Sequence, residues 1–88
     1  GDYDYVGFEV NPGGQYTLDL RWEPIGDWDL ILYEIDPYDG SWDEIAAANG
    51  PDVHGPETLP QTLYKNRTYI FLVVGWDGDI GDWTVELQ

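Results

Sequence analysis

Gln15-Tyr16-Thr17-Leu18-Asp19-Leu20-Arg21-Trp22 alternates without interruption. Tyr16, Leu18, Leu20 and Trp22 fall on one side, and Gln15, Thr17, Asp19 and Arg21 on the other. A period of two is the mark of an extended strand with one face buried and one face wet. The same pattern closes the chain, where Trp83, Val85 and Leu87 alternate with Thr84, Glu86 and Gln88. Two further runs, Trp28 to Ile35 and Thr68 to Val74, carry apolar residues on both faces, so they are expected to be central strands covered on both sides or nearly so.

Turn residues separate these runs: Asn11-Pro12-Gly13-Gly14, Pro24-Ile25-Gly26-Asp27, Asp36-Pro37-Tyr38-Asp39-Gly40, Asn49-Gly50-Pro51-Asp52, Lys65-Asn66 and Asp77-Gly78-Asp79-Ile80-Gly81. Their spacing divides the chain into about seven strands, and an all-β antiparallel sandwich follows. Asp43 to Asn49 has helical propensity over only about two turns, so either a short helical turn or a weak edge strand is expected there. With 88 residues there is room for one core, and residues 1–88 are read as a single domain.

Composition narrows the function. The chain holds 18 Asp plus Glu against 3 Lys plus Arg, a net charge of −15. A nucleic acid or an anionic membrane would be repelled, and no apolar run approaches the roughly 18 residues of a membrane span. Packed to a radius of about 12 Å, a domain with this excess charge repels itself by about 4 kcal/mol after screening. That is a large share of a typical stability of about 5–15 kcal/mol, so bound divalent cations, high salt or low pH are expected to relieve it. Disorder is opposed by a 16% aromatic and 42% hydrophobic content. Without Cys there is no disulfide framework, and without Met at position 1 either a processed end or a residue left by recombinant expression is expected.

Six segments, in order, resemble the bacterial and archaeal pre-peptidase C-terminal (PPC) domain. They are Asp4-Tyr5-Val6-Gly7-Phe8-Glu9-Val10, Gly14-Gln15-Tyr16-Thr17-Leu18, the DWDLILYE run at 27–34, Gly55-Pro56-Glu57-Thr58, Asn66 to Val74 as the "G-x-Y-x-x-x-V" strand, and Gly81-Asp82-Trp83-Thr84-Val85 as the closing "G-x-Y-x-L" strand. Asn66 stands where that family usually has Gly, and Trp83 where it usually has Tyr. The resemblance implies a jelly-roll-like sandwich outside the cell, calcium-binding relatives, adhesion to collagen or polysaccharide, and no catalysis by the module itself.

Calcium takes six to eight oxygens from flexible loops. If the resemblance to calcium-binding relatives holds, Asp27, Asp29 and Glu57 are the candidate ligands, with Asp2 or Asp4 completing the shell and Asp77, Asp79 and Asp82 as a second cluster. Acidic loops that are merely solvated, or that bond their own turn amides, are the alternative. Trp28, Trp42, Trp76 and Tyr38 lie in or beside turns, where they could stack on sugar rings or simply close the ends of the sandwich. Asn66-Arg67-Thr68 fits the N-glycosylation acceptor pattern in an expected surface turn. One His (His54), one Ser (Ser41) and no Cys leave little for catalysis.

Three roles remain. One is a calcium-stabilised structural or adhesive module that holds an extracellular protein or a polysaccharide. Another is a self-associating subunit of a filament, pilus or sheath, built by exchange of terminal strands. The third is a carbohydrate-binding module.

Overall fold

The computed structural model describes residues 2–23, 27–48, 57–75 and 82–88, with backbone alone at Asp2 and Glu23. Among the described residues there are seven strands: β1 (Asp2–Phe8), β2 (Gly14–Glu23), β3 (Trp28–Ile35), β4 (Trp42–Ala48), β5 (Glu57–Leu63), β6 (Tyr69–Gly75) and β7 (Asp82–Leu87). They form two antiparallel sheets, one in the order β1-β6-β3-β4 and the other β5-β2-β7. The sheets pack face to face as a small β-sandwich.

Alternation fixes which side chains meet between the sheets. Leu18, Leu20 and Trp22 from β2 face Trp28, Leu30 and Leu32 from β3, joined by Leu59 and Leu63 of β5 and Tyr69 and Val73 of β6. Tyr69 is buried to its hydroxyl, which accepts a hydrogen bond from the Tyr64 backbone N–H at 2.8 Å, so its polar tip is satisfied. Gly13 sits in the turn before β2 because a Cβ there would lie 2.9 Å from the Lys65 nitrogen and 3.0 Å from the Leu63 oxygen. Asn66 turns the chain between β5 and β6 with φ at 68°, a left-handed conformation that Asn tolerates better than most residues.

β3 and β6 are central in their sheet, as their apolar content requires. Among the described residues no third layer covers their outer side, where Ile31, Tyr33, Leu72 and Val74 are half-buried and Ile70 is buried. Of the 43–49 segment, Asp43 to Ala48 belong to the edge strand β4, and Asn49 lies outside the described residues. Ala46 and Ala48 sit beside Leu32 and Leu30, and a one-residue register shift leaves Ile45 between the rungs. Packing of the two alanines against the core outweighs a helical propensity that about two turns could not sustain alone.

The chain crosses between sheets at every step except the β3–β4 hairpin. Among the described residues the strand order matches seven positions of an eight-stranded jelly roll, and no described strand stands in the remaining first position, which lies beside the last. β7 occupies that last place. The radius of gyration is 13.1 Å, close to what 88 packed residues should have.

Candidate interaction surfaces

The two outer faces of the sandwich differ in chemistry. On the three-stranded sheet, Gln15, Thr17, Asp19 and Arg21 of β2, Thr58, Pro60 and Thr62 of β5, and Asp82, Thr84 and Glu86 of β7 point outward. Arg21 donates to Asp19 Oδ2 through Nε at 3.2 Å and Nη2 at 3.0 Å across the centre of that face. The outer face of the four-stranded sheet is aromatic and aliphatic. Tyr3 and Tyr5 of β1, Ile70, Leu72 and Val74 of β6, Ile31 and Tyr33 of β3, and Trp42 and Ala47 of β4 share it.

Much of this apolar surface meets water. Tyr3 is 69% exposed and Trp42 44% exposed, and Tyr5 is also exposed. Trp42 leans inward from its edge strand until its ring centre lies 5.4 Å from Tyr5 and 5.6 Å from Tyr33, at interplanar angles of 67° and 53°. The contact with Tyr5 is edge-on, which sets a positive ring edge against a negative face, and the contact with Tyr33 is tilted. The rings are tilted against one another and do not form the coplanar shelf that stacks on a chain of sugars. Among the described residues, Asp29 and Glu44 are the carboxylates that register places on this face.

Neither described arginine lies on the aromatic face. Arg21 is on the opposite sheet, while Arg67 bonds Glu34 at 2.9 Å and lies 4.6 Å from the centre of the Tyr64 ring. The Glu34 carboxylate raises the Arg67 pKa above its usual value, through a hydrogen bond and the opposite charge. In the β3–β4 turn Asp39 accepts the Ser41 N–H at 2.9 Å, and bonding to Ser41 lowers its pKa below the ordinary aspartate value.

The expected calcium ligands are spread over both sheets. Asp29 lies on the outer face of β3, whereas Glu57 is buried on the inner face of β5 opposite Leu20. Asp2 and Asp4 have the inward register of β1, and Asp82 is on the outer face of β7 opposite Glu23. Asp2 and Trp28 share the rung of Gly75, so Asp27 and Asp2 reach the same end of one sheet two strands apart. Among the described residues no group of three or more His, Cys, Asp or Glu side chains is placed to hold a metal ion. Asp77, Asp79, Trp76 and His54 lie outside the described residues.

Trp28 requires a correction. It is 2% exposed and belongs to the core, so it offers no surface to a sugar. The strand begins at this residue with the indole on the inward register, opposite the side-chain-free Gly75. Tyr38 is 96% exposed, but it stands on the β3–β4 turn apart from the aromatic face. Asn66 is exposed in its turn, as an acceptor site needs to be. Ser41 is exposed and bonded within its own turn.

Tyr3, Tyr5 and Tyr33 were missed from the sequence. The signal was present, because Asp2-Tyr3-Asp4-Tyr5 alternates acid and ring and so sends both tyrosines to one face. No protein-family model matches the chain, and no curated protein matches it. The likeness to the PPC domain therefore rests on the six quoted segments alone.

Proposed function

We propose that this domain is a non-catalytic interaction module that docks onto the surface of another protein through the outer face of its four-stranded sheet. The observation that carries this reading is the unequal pair of outer faces: polar on one sheet, and on the other an aromatic patch centred on Tyr3, Tyr5 and Trp42. A monomeric domain rarely leaves such residues contiguous and exposed unless they meet a partner. Enrichment in Tyr and Trp is also what distinguishes the centre of an interface. The tilted rings favour a protein surface with knobs and hollows over a flat polysaccharide. The role is structural or adhesive, and the PPC-like segments support a place outside the cell.

Tyrosine-selective labelling tests this by comparing the purified chain with the chain in its native setting. Tyr3 and Tyr5 should label in the purified chain and be protected in the native material, while Tyr38 and Tyr64, exposed elsewhere, label in both. Equal labelling of all four in both settings would contradict the reading.

A further inference from the structure

We propose a second binding site, independent of the aromatic face: the free edge of β7 accepts an extended segment of another polypeptide whose alternate residues are apolar and basic. Three observations meet at that edge. Among the described residues the strand order is that of a jelly roll with no strand in the position beside β7. Opposite that position the inner side of β1 is uncovered: Val6, on the inward register, is 41% exposed, as is Leu87 of β7. Beneath the edge an apolar cleft of about 150 Å³ is lined by Phe8, Glu9, Leu18, Phe71, Val85 and Leu87.

Backbone bonding shows which groups a new strand would meet. Thr17 and Gln88 exchange both hydrogen bonds at 2.9 Å. Antiparallel ladders alternate bonded and non-bonded pairs, so Glu86 and Thr84 also bond toward β2. The N–H and C=O groups of Trp83, Val85 and Leu87 then turn to the edge, where no described strand pairs with them. An added strand would bond these groups, fill the cleft with alternate apolar side chains, and cover Val6 and Phe8.

Charge selects the occupant. The outward residues of β7 are Asp82, Thr84 and Glu86 on a domain of net charge −15. A second copy of β7 would set acid against acid across the new ladder, which opposes pairing. Lys or Arg at the outward positions of a foreign strand would meet carboxylates instead. The other three edge strands of the two sheets carry their own obstacles to pairing: β5 carries Pro60, β4 carries Asp43, Glu44 and the register shift, and β1 carries Asp2 and Asp4.

Residue-resolved amide hydrogen exchange on the full chain tests the site. The probes are an alternating valine–lysine peptide, an alternating valine–glutamate peptide of equal length, and a block-ordered valine–lysine peptide of the same composition as the first. The alternating lysine peptide should slow exchange at Trp83, Val85 and Leu87 by roughly tenfold or more while Thr84 and Glu86 change little, and the other two peptides should not. Replacing Asp82→Lys and Glu86→Lys together should move the preference to the glutamate peptide. Leu87→Pro, which removes one edge N–H and no bond to β2, should weaken binding several-fold, with retained protection of the β2–β5 ladder showing that the variant folds. Equal protection by the block peptide would mean bulk charge alone, and protection that grows with chain concentration would mean that copies pair with each other. Either result overturns the proposal, as does a peptide that leaves the three amides unchanged. None of these outcomes bears on Tyr3 and Tyr5, so failure here is distinct from failure of the aromatic-face reading.

Discussion

Two tryptophans with similar sequence surroundings have opposite fates. Trp28 and Trp42 are each the first residue of a strand, and only the register of that strand against its neighbours separates them. Trp28 falls inward onto the Leu30–Leu32 side, and Trp42 falls outward with Ile35 and Tyr33. Trp28→Ala should therefore cost about 3–5 kcal/mol, the range for deleting a large buried aromatic. Trp42→Ala should cost only about 1–3 kcal/mol, the worth of two ring contacts. Denaturant unfolding of the two variants checks the contrast, and equal losses would show that Trp42 is a structural cap and not part of a docking face. The inward positions of β2 were readable because Tyr16 to Trp22 alternates cleanly. Trp28 was not, since its neighbours Asp27 and Asp29 make the segment look like the wet side of a turn.

At the level of strands, hydrophobic pattern and turn residues located nearly every element. The apolar run fixes β3 at Trp28–Ile35, whereas the 43–49 pattern fits both a helical turn and an edge strand, which only tertiary packing separates. Which strand lies beside which was illegible, because pairs such as β1 with β6 join residues far apart in the chain and leave no local mark. The aromatic face was missed for the same reason: Tyr5 and Trp42 come together only once β6 and β3 are laid between their strands. The register shift in β4 makes one residue dispensable there. Deletion of Ile45 should restore a continuous β3–β4 register and cost less than about 1.5 kcal/mol, because the core residues Ala46 and Ala48 keep their partners. Deletion of Leu72 from β6 should prevent folding, since it would turn every following core side chain to the wrong face. Circular dichroism and thermal melts of the two deletions distinguish the cases.

For the molecule as a whole, charge is the plainest message of the sequence and shape the least plain. A net charge of −15 spread over a radius of gyration of 13.1 Å makes self-repulsion a general cost, independent of any one ion pair. Raising sodium chloride from about 0.01 M to about 1 M shortens the Debye length from about 30 Å to about 3 Å, and the unfolding midpoint should rise by several degrees. A midpoint indifferent to salt would mean that the repulsion is already neutralised by bound cations. Composition also states what the chain is poor in, namely nucleophiles and cations of its own. It says nothing of where the sandwich is left open, because that follows from strand order.

The central claim is that no described strand or layer covers the aromatic sheet face or the edge of β7, and the proposal built on it is that the domain works by having both covered. Residue-resolved hydrogen exchange of the free chain tests this most directly. The account predicts slow exchange throughout β2, β3 and β6, and along β7 an alternation in which Thr84 and Glu86 are protected while Trp83, Val85 and Leu87 exchange fast. Uniform protection along β7 in the isolated chain would show the edge already filled and would contradict the account.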